Sequence, residues 1–431
     1  MSQRILFRGG TVLTLGLRTS NHVEADVLIE DGVIAEIGTN VRARNAEVVD
    51  AAERILMPGF VDGHRHAWKS LIRGGGALRD LPGEPSAAFG PHHTPDDVYA
   101  ATLLSLVSAA VAGTTTVADW ADVQVTPAHR DAVLSAHADS GIRTILVDAP
   151  ARWSDAEVLP PLTEAPGDHT TIASGHGDPA AGDNAESAWA AARARGQRVH
   201  AHVGVPGAAQ GSVQGLAGAG LLADDVTLIH CSLLDDGDFD AISQSGAGVV
   251  LTPSTEMTHG LGYPPVQSFI DRSIGFGLGV DAEQEAPGDV FAQMRATIAL
   301  QHARYFDLKL AGKAGLPNLM TTREAIRQGT ILGAEALGLG AATGSLEVGK
   351  QADVLVLRTD RANIHPVNDP IGAVVWGMDT SNVDWVIAGG SPAVREGMPV
   401  ADVTDLRRKA NEAHARLVAA SGLLSSTGGV A

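Results

Sequence analysis

Residues 57–66, Met57-Pro58-Gly59-Phe60-Val61-Asp62-Gly63-His64-Arg65-His66, form an apolar run that leads into two histidines separated by one residue. Residues i and i+2 of a β-strand point to the same side, so His64 and His66 project together from the end of one strand. Two such imidazoles suit a shared metal ion. The motif is weak alone, because a chain with 16 histidines produces such pairs by chance. Its meaning depends on further ligands at other strand ends.

The chain that follows alternates short apolar segments with longer helical ones. The predicted strands are Gly59–Asp62, Thr115–Ala118, Arg143–Val147, Thr170–Ser174, Val199–Val203, Thr227–His230, Gly248–Thr252 and Gly275–Val280. The predicted helices are Pro95–Ala112, Pro127–Ser140, Asp183–Arg195, Gln210–Leu221, Asp235–Gln244, Pro287–Arg304 and Thr321–Leu337. Eight strands that alternate with helices predict an α/β chain folded as a parallel (β/α)8 TIM barrel, in which chemistry is located at the C-terminal strand ends.

Both ends of the chain predict a second, smaller β domain. Short predicted strands flank Gly9-Gly10 and the hairpin signal Asp31-Gly32 near the N-terminus. A matching set returns in Gly344–Leu357 and Val383–Ala388. We therefore expect a discontinuous domain from residues 1–57 and 344–400, a barrel from residues 58–343, and a C-terminal helix and tail from residues 401–431.

Composition excludes several classes of protein. The net charge of −19 and the pI of about 5.2 lack the basic surface that a nucleic-acid binder needs. Cys231 is the only cysteine of the sequence, which predicts a reducing compartment. The stretch MSQRILFRGGTVLTL lacks an apolar core bounded by a cleavage site, and the sequence contains no uninterrupted run of about 18 apolar residues. We expect a cytoplasmic protein that contacts neither nucleic acid nor membrane.

The ends of the predicted strands form a coherent set of potential ligands. Strand one ends in His64 and His66, strand five in His202, strand six in His230 and strand eight in Asp281. Imidazole nitrogens and a carboxylate oxygen are suitable donors for zinc or ferrous iron. Each residue alone has an ordinary structural explanation, such as a buried histidine or a capping aspartate. Their joint occurrence on four strand ends favours a metal site.

At this point the sequence resembles a known family. Residues 58–66 are similar to the opening motif of the metal-dependent amidohydrolase superfamily, in the branch of cytosine deaminases and atrazine-chlorohydrolase-like enzymes. The resemblance also includes the Gly344–Leu357 segment and implies a distorted (β/α)8 barrel, a small β-sandwich from both termini and one divalent metal ion. Its motifs assign four metal ligands: His64, His66, His202 and Asp281. The resemblance favours zinc, with iron and manganese as alternatives.

Two expected residues are absent. Binuclear members of the superfamily use a carboxylated lysine at the end of strand four, and no lysine lies in or beside Thr170–Ser174. Deaminases of this branch carry a glutamate three residues after the strand-five histidine, where His202 is followed by Val205. The first absence predicts a mononuclear centre. The second argues against deamination of a nucleobase, because valine cannot transfer a proton.

The remaining candidates receive roles from chemistry and position. Asp281 is the expected general base, and His230 is expected either to stabilise a developing oxyanion or to orient water. Glu256, after strand seven, binds a cationic or amide group of the substrate or is a solvated loop acid. His176, after strand four, faces the same mouth and is a candidate for substrate binding. His200 is expected to be a packed residue that binds no metal.

The function predicted from these residues is hydrolysis of an amide or amidine C–N bond by a metal-dependent hydrolase. The short, proline-rich segment Asp148–His169 leaves the mouth sparsely covered, which would admit a substrate larger than a nucleobase. We expect a small-molecule or modified-peptide substrate, and tailoring of a natural product or a peptide is left open. One alternative is an aminohydrolase that deaminates a heterocyclic amine with Glu256 or another loop residue as proton shuttle. Another is a barrel that binds a ligand without catalysis. A homodimer is left open.

Overall fold

The structure is a computed structural model of the 431-residue chain. It describes residues 4–16, 19–74, 85–151, 153, 159–177, 185–207, 211–284 and 286–421. The predicted starts of two helices, Asp183 and Gln210, and the tail after Ser421 lie outside these residues.

The N-terminal residues form five strands of one sheet. These are β1 (Arg4–Val12), β2 (His22–Glu30), β3 (Val33–Gly38), β4 (Glu47–Asp50) and β5 (Arg54–Pro58). The two strands predicted around Gly9-Gly10 are one strand, because the glycines form an irregularity within β1 instead of a turn. Gly9 has a φ of 78° and its N–H donates to Asp26 Oδ1 at 2.9 Å.

The central residues form a parallel barrel of eight neighbouring strands, which confirms the predicted fold class. They are β6 (Phe60–Arg65), β7 (Thr114–Trp120), β8 (Arg143–Asp148), β9 (Thr170–His176), β10 (Val199–Val203), β11 (Val226–His230), β12 (Gly248–Leu251) and β13 (Gly277–Leu278). Both faces of a strand in such a barrel are covered, so every residue of β7 and β11 is buried, including the polar ones. Strand eight is shorter than the predicted Gly275–Val280.

Helices cover the outside of the barrel and the mouth. They are α1 (Pro85–Phe89), α2 (Pro95–Val111), α3 (Pro127–Asp139), α4 (Ala185–Ala194), α5 (Ser212–Gly218), α6 (Asp236–Ser245), α7 (Pro253–Thr258), α8 (Val266–Asp271), α9 (Val290–Leu310), α10 (Thr322–Gln328) and α11 (Ile331–Ala336). The single helix predicted over Thr321–Leu337 is interrupted, because Thr330 leaves helical geometry with φ −134° and ψ −101°. Helix α7, which the sequence did not predict, places Glu256 in the site.

The chain then returns to the first sheet. Strands β14 (Val354–Arg358), β15 (Val383–Ala388), β16 (Ser391–Arg395) and β17 (Met398–Pro399) extend it through pairing of β14 with β5. A three-residue turn, α12 (Pro370–Gly372), lies between β14 and β15, and α13 (Val403–Ser421) ends the described chain. The terminal segments therefore build one nine-stranded sheet, as the prediction of a discontinuous β domain requires.

The C-terminal helix α13 packs beside the mouth of the barrel. His414 Nδ1 lies 2.8 Å from the carbonyl oxygen of Leu71, in the turn that follows the two histidines of β6. Arg416 pairs with the buried Asp97 of α2, and Leu417 is fully buried against the same region. The helix thereby supports the segment that carries the lining residue Lys69.

Candidate metal centre and active site

Closure of the barrel brings the first and last strands together at the predicted ligands. The N–H of Asp281 donates to the carbonyl oxygen of His64 at 2.8 Å, and the N–H of His66 donates to that of Asp281 at 2.8 Å. Asp281 has a φ of 64°, a left-handed conformation that is uncommon outside glycine and typical of functional sites. The short β13 is thus continued by a bridge between Arg65 and Asp281, which places the carboxylate beside the histidines.

The spacing of the donor atoms fits one divalent ion. Nε2 of His64 lies 3.2 Å from Nε2 of His202 and 3.6 Å from Oδ1 of Asp281. Nε2 of His66 lies 3.4 Å from the same Oδ1. Ligands bound at zinc-like distances of about 2.05 Å in a tetrahedron are separated by about 3.4 Å. The three separations fit one divalent metal ion. The donor atoms fall into two overlapping groups, His64 with His66 and His202, and His64 with His230 and Asp281.

The protonation states of the ligands suit a metal ion. Burial lowers the pKa of His64 to about 4 and the pKa of His202 well below its ordinary value, so both imidazoles are neutral at neutral pH. Burial raises the pKa of Asp281, but its hydrogen bond with His64 and the nearby histidines bring the net pKa well below the ordinary value. Neutral imidazoles and an ionised carboxylate are the forms that bind metal.

A second carboxylate, Asp122, orients His66. Its Oδ1 lies 3.1 Å from His66 Nδ1 and accepts a hydrogen bond of 2.6 Å from Trp68 Nε1. Burial raises the pKa of Asp122, but His66 and Lys69 lower it on balance, so the group is ionised. A carboxylate behind a histidine fixes the ring with its other nitrogen towards the metal. The sequence analysis missed Asp122, which lies two residues beyond the end of β7.

The opposite side of β6 carries a buried ionic network. Arg65 is fully buried and donates from Nε to Asp62 Oδ2 at 2.7 Å and from Nη1 to Glu283 Oε1 at 2.8 Å. Arg73 also contacts Glu283, at 2.9 Å. The network links the residues that flank His64 to those that follow Asp281. Arg65 is therefore a structural residue that holds the two ligand segments together.

His230 lies beside the four ligands and is held from behind. Its φ of 72° turns the chain sharply at the end of β11, and its ring stacks on that of His202 with centroids 5.1 Å apart. Nδ1 lies 3.1 Å from Thr252 Oγ1 and 3.3 Å from Glu256 Oε1. The remaining nitrogen, Nε2, is left for the site.

The position of Glu256 fits neither of the two roles considered for it, which were substrate binding and a solvated loop acid. The side chain is fully buried, and Oε1 accepts the N–H of Thr252 at 2.7 Å. It is therefore not a solvated loop acid, and it is not among the described residues that line the cavity. Helix α7 turns the chain back, so that Glu256 reaches under His230.

Two further histidines lie outside the wall of the cavity. His176 Nε2 lies 3.0 Å from Ser174 Oγ, and His176 does not belong to the described lining, although it was a candidate for substrate binding. His200 is fully buried below His202, and neither ring nitrogen has a hydrogen-bond partner among the described residues. Burial lowers the pKa of His200 well below its ordinary value, consistent with a packed neutral residue.

A cavity of about 640 Å³ opens directly onto the candidate metal ligands. Its lining combines the site histidines and Asp281 with aromatic, apolar and polar side chains. The described lining residues are His66, Lys69, Ala87, Trp120, Asp122, Trp153, His202, Val205, Pro206, His230, Thr255, His259, Leu261, Asp281, Ala282 and Gln284. Val205 therefore faces the site at the position where deaminases of the resembled branch carry a glutamate. The volume suits a small organic molecule.

The sequence profile of the amidohydrolase family matches residues 55–393. The chain belongs to the amidohydrolase family. It is a metal-dependent hydrolase that acts on C–N bonds, as the residues predicted. No helix in the described part of the chain has both the length and the apolar character that a membrane span requires.

Curated relatives match the chain over almost its full length. A 5-methylthioadenosine/S-adenosylhomocysteine deaminase of Halobacterium salinarum is 29% identical, with 98% of this chain and 100% of the relative covered. A 5'-deoxyadenosine deaminase of Methanosarcina mazei is 27% identical, with 96% and 98% covered. These relatives are named for deamination of adenosine-type compounds.

Solved structures share the fold at lower sequence identity. An adenosine deaminase from Xanthomonas campestris with bound zinc has a TM-score of 0.80 and 21% identity, with 96% of this chain and 98% of that chain covered. An atrazine chlorohydrolase from Arthrobacter aurescens in complex with zinc has a TM-score of 0.82 and 22% identity, with 95% and 100% covered. At these identities the likeness establishes the fold alone.

Proposed function

We propose that the chain is a mononuclear zinc-dependent hydrolase of an amide or amidine C–N bond in a small molecule or modified peptide. The proposed ligands are His64, His66, His202 and Asp281. The carrying observation is that they belong to two overlapping donor groups, which share His64, beside a cavity in which Val205 stands in place of an acid. Zinc fits the nitrogen-rich ligand set, and iron and manganese accept the same donors. A bound divalent ion supplies Lewis acidity, which polarises the scissile carbon and promotes ionisation of water near neutral pH.

Asp281 is the proposed general base. Its carboxylate lines the cavity and is ionised at neutral pH, so it can take a proton from the attacking water. The same group can then return that proton to the departing nitrogen. Nδ1 of His230 faces Thr252 and Glu256, so its Nε2 would be left to orient the water towards the scissile carbon. The two residues thus position the nucleophile and move its proton.

The residue at position 205 supports an amide or amidine substrate over a heterocyclic one. Attack on the amino-bearing carbon of a heterocycle places charge on a ring nitrogen, which needs a proton from a nearby acid. Val205 lines the cavity and provides none. Hydrolysis of an amide or amidine outside a ring needs a proton only at the leaving nitrogen, which Asp281 can supply. The amide or amidine substrate therefore requires no residue that the chain lacks.

A second candidate is an aminohydrolase that deaminates a heterocyclic amine. The observation that favours it is the near-complete coverage of curated relatives named as deaminases of adenosine-type compounds. Both candidates use the same metal ligands and differ in the product. Amide hydrolysis yields a carboxylate together with an amine or ammonia, whereas deamination yields ammonia and a ring carbonyl.

The test combines a product screen with substitution of the base. Zinc-loaded protein is incubated with amides, amidines and aminoheterocycles, and carboxylate and ammonia are both measured. We expect a carboxylate from an amide, or an amide together with ammonia from an amidine. We expect Asp281→Asn to lower turnover by at least about 100-fold. Residual zinc content in Asp281→Asn separates loss of the base from loss of the ion. Near-normal turnover in that variant would remove Asp281 from the mechanism, and ammonia from aminoheterocycles alone would favour the second candidate.

A further inference from the structure

His230 has two neighbours that decide which of its ring nitrogens carries the proton. Glu256 Oε1 lies 3.3 Å from Nδ1, and Thr252 Oγ1 lies 3.1 Å from the same atom. A carboxylate oxygen that already accepts a backbone N–H is an acceptor for the histidine as well. The contacts of Nδ1 therefore indicate which ring nitrogen of His230 carries the proton, which its position in the sequence does not.

The hydrogen bonds around Glu256 are consistent with one arrangement. Oε1 accepts the N–H of Thr252 at 2.7 Å and the Thr252 hydroxyl at 3.3 Å. Since the Thr252 hydroxyl has one hydrogen and donates it to Glu256, its oxygen can only accept from His230. Both atoms that face Nδ1 are then acceptors, and an unprotonated Nδ1 would place three lone pairs against one another.

We propose that Glu256 is a positioning residue that fixes His230 as the Nδ1–H tautomer. Nε2 is then unprotonated and faces the metal ligands, since a ring nitrogen of His230 lies within 4.8 Å of donor atoms of His64 and Asp281. An unprotonated Nε2 accepts a hydrogen bond from the attacking water and cannot donate one to an oxyanion. The arrangement therefore assigns His230 the water-orienting role. For its kinetic consequence, the inference rests on the proposed function.

Burial makes this arrangement specific to Glu256. The side chain is fully enclosed, and its second oxygen, Oε2, has no hydrogen-bond partner among the described residues. Among the described residues, the Glu256 carboxylate forms hydrogen bonds only with Thr252 and His230, and all of them are made through Oε1. Glutamine at this position retains the acceptor oxygen, because the N–H of Thr252 still requires one. Methionine has a similar length and removes the acceptor.

The experiment measures the tautomer directly in zinc-loaded protein. Histidine ring nitrogens are labelled with ¹⁵N, and the signals of His230 are assigned by comparison with His230→Gln. We expect the Nδ1–H tautomer in the wild type and in Glu256→Gln, and a mixture or the Nε2–H tautomer in Glu256→Met. Zinc content should be the same in all three proteins. This readout needs no substrate, so it remains decisive if the proposed reaction is wrong.

Kinetics supply the second readout once a substrate is known. We expect Glu256→Met to lower kcat by about 100-fold with KM changed by less than about threefold, and Glu256→Gln to recover kcat to within about tenfold of wild type. An Nε2–H tautomer in the wild type would overturn the proposal. So would a zinc-dependent shift of His230 Nε2 as large as that of His202, because His230 would then be a ligand. The wild-type spectrum decides the question even if Glu256→Met fails to fold.

Discussion

Replacing Arg65 with methionine removes the centre of the buried network behind the metal ligands. The guanidinium is fully buried and contacts Asp62 at 2.7 Å and Glu283 at 2.8 Å. Glu283 keeps Arg73 as a partner at 2.9 Å, whereas Asp62 keeps only backbone N–H groups, the nearer being that of Val280 at 3.0 Å. The loss therefore falls mainly on Asp62.

The expected cost is large for one substitution. Removal of one partner of a buried ion pair costs about 3–5 kcal/mol, because the other charge is left without compensation. The exposed pairs of Arg272 with Asp236 and Asp240 provide a matched control, since Arg272→Met should cost about 1 kcal/mol or less. Both variants are unfolded with urea after chelation of metal, and zinc content is measured separately. We expect Arg65→Met to bind zinc more weakly as well.

The pH dependence of the stability of Arg65→Met tests whether Asp62 causes the destabilisation. Burial already raises the pKa of Asp62 despite the nearby Arg65, and loss of that guanidinium raises it further. The folded variant then binds a proton that the unfolded chain releases, so its stability falls as pH rises. The destabilisation should be larger at about pH 8 than at about pH 5, and Asp62→Asn in the same chain should recover part of it. A cost below about 1 kcal/mol at both pH values would refute this account.

Three further outcomes follow from the site. Asp122→Asn should weaken zinc binding by about 10–100-fold in a competition titration. Unchanged affinity would show that Asp122 does not orient the ligand His66. In metal-free protein, His64, with its pKa of about 4 when folded, should lower the free energy of unfolding by about 2 kcal/mol from pH 7 to pH 5, because only the unfolded chain gains the proton. Urea titrations of wild type and His64→Asn at both pH values measure that slope, and equal slopes would contradict it. Val205→Glu should raise ammonia release from an aminoheterocycle at least about tenfold, and equal or faster release by the wild type would show that no acid is needed there.

The architecture could be predicted because it depends on patterns that repeat along the chain. Alternation of apolar strands with helical segments predicted the barrel, and the returning Gly344–Leu357 segment predicted the terminal sheet, both of which the structure contains. The ends of elements were less accurate, because they depend on single backbone angles. Thr330 interrupts a continuous helical pattern, and the bridge from Arg65 to Asp281 replaces most of strand eight.

Strand parity placed His64 and His66 on one side of their strand, and the resemblance to the family implied the full ligand set. The supporting residues could not be placed from the sequence, since they reach the site through turns. Asp122 arrives from the loop after β7, and Glu256 arrives because α7 reverses the chain beneath His230. The left-handed conformations of His230 and Asp281 that permit these contacts leave no pattern in the sequence. A position at a strand end is also not sufficient for a place in the site. His176 lies at the end of β9 but is not part of the described cavity wall.

The most direct test of a metal-dependent site built from these strand ends is the metal content of the purified protein and two variants of one strand. His202→Ala removes a proposed ligand, whereas His200→Gln changes a buried histidine two residues earlier that is not one. The account predicts about one equivalent of zinc or iron in the wild type and His200→Gln, and less than about a tenth in His202→Ala. Less than about a tenth in the wild type, unchanged by His202→Ala and not restored by added metal, would contradict it.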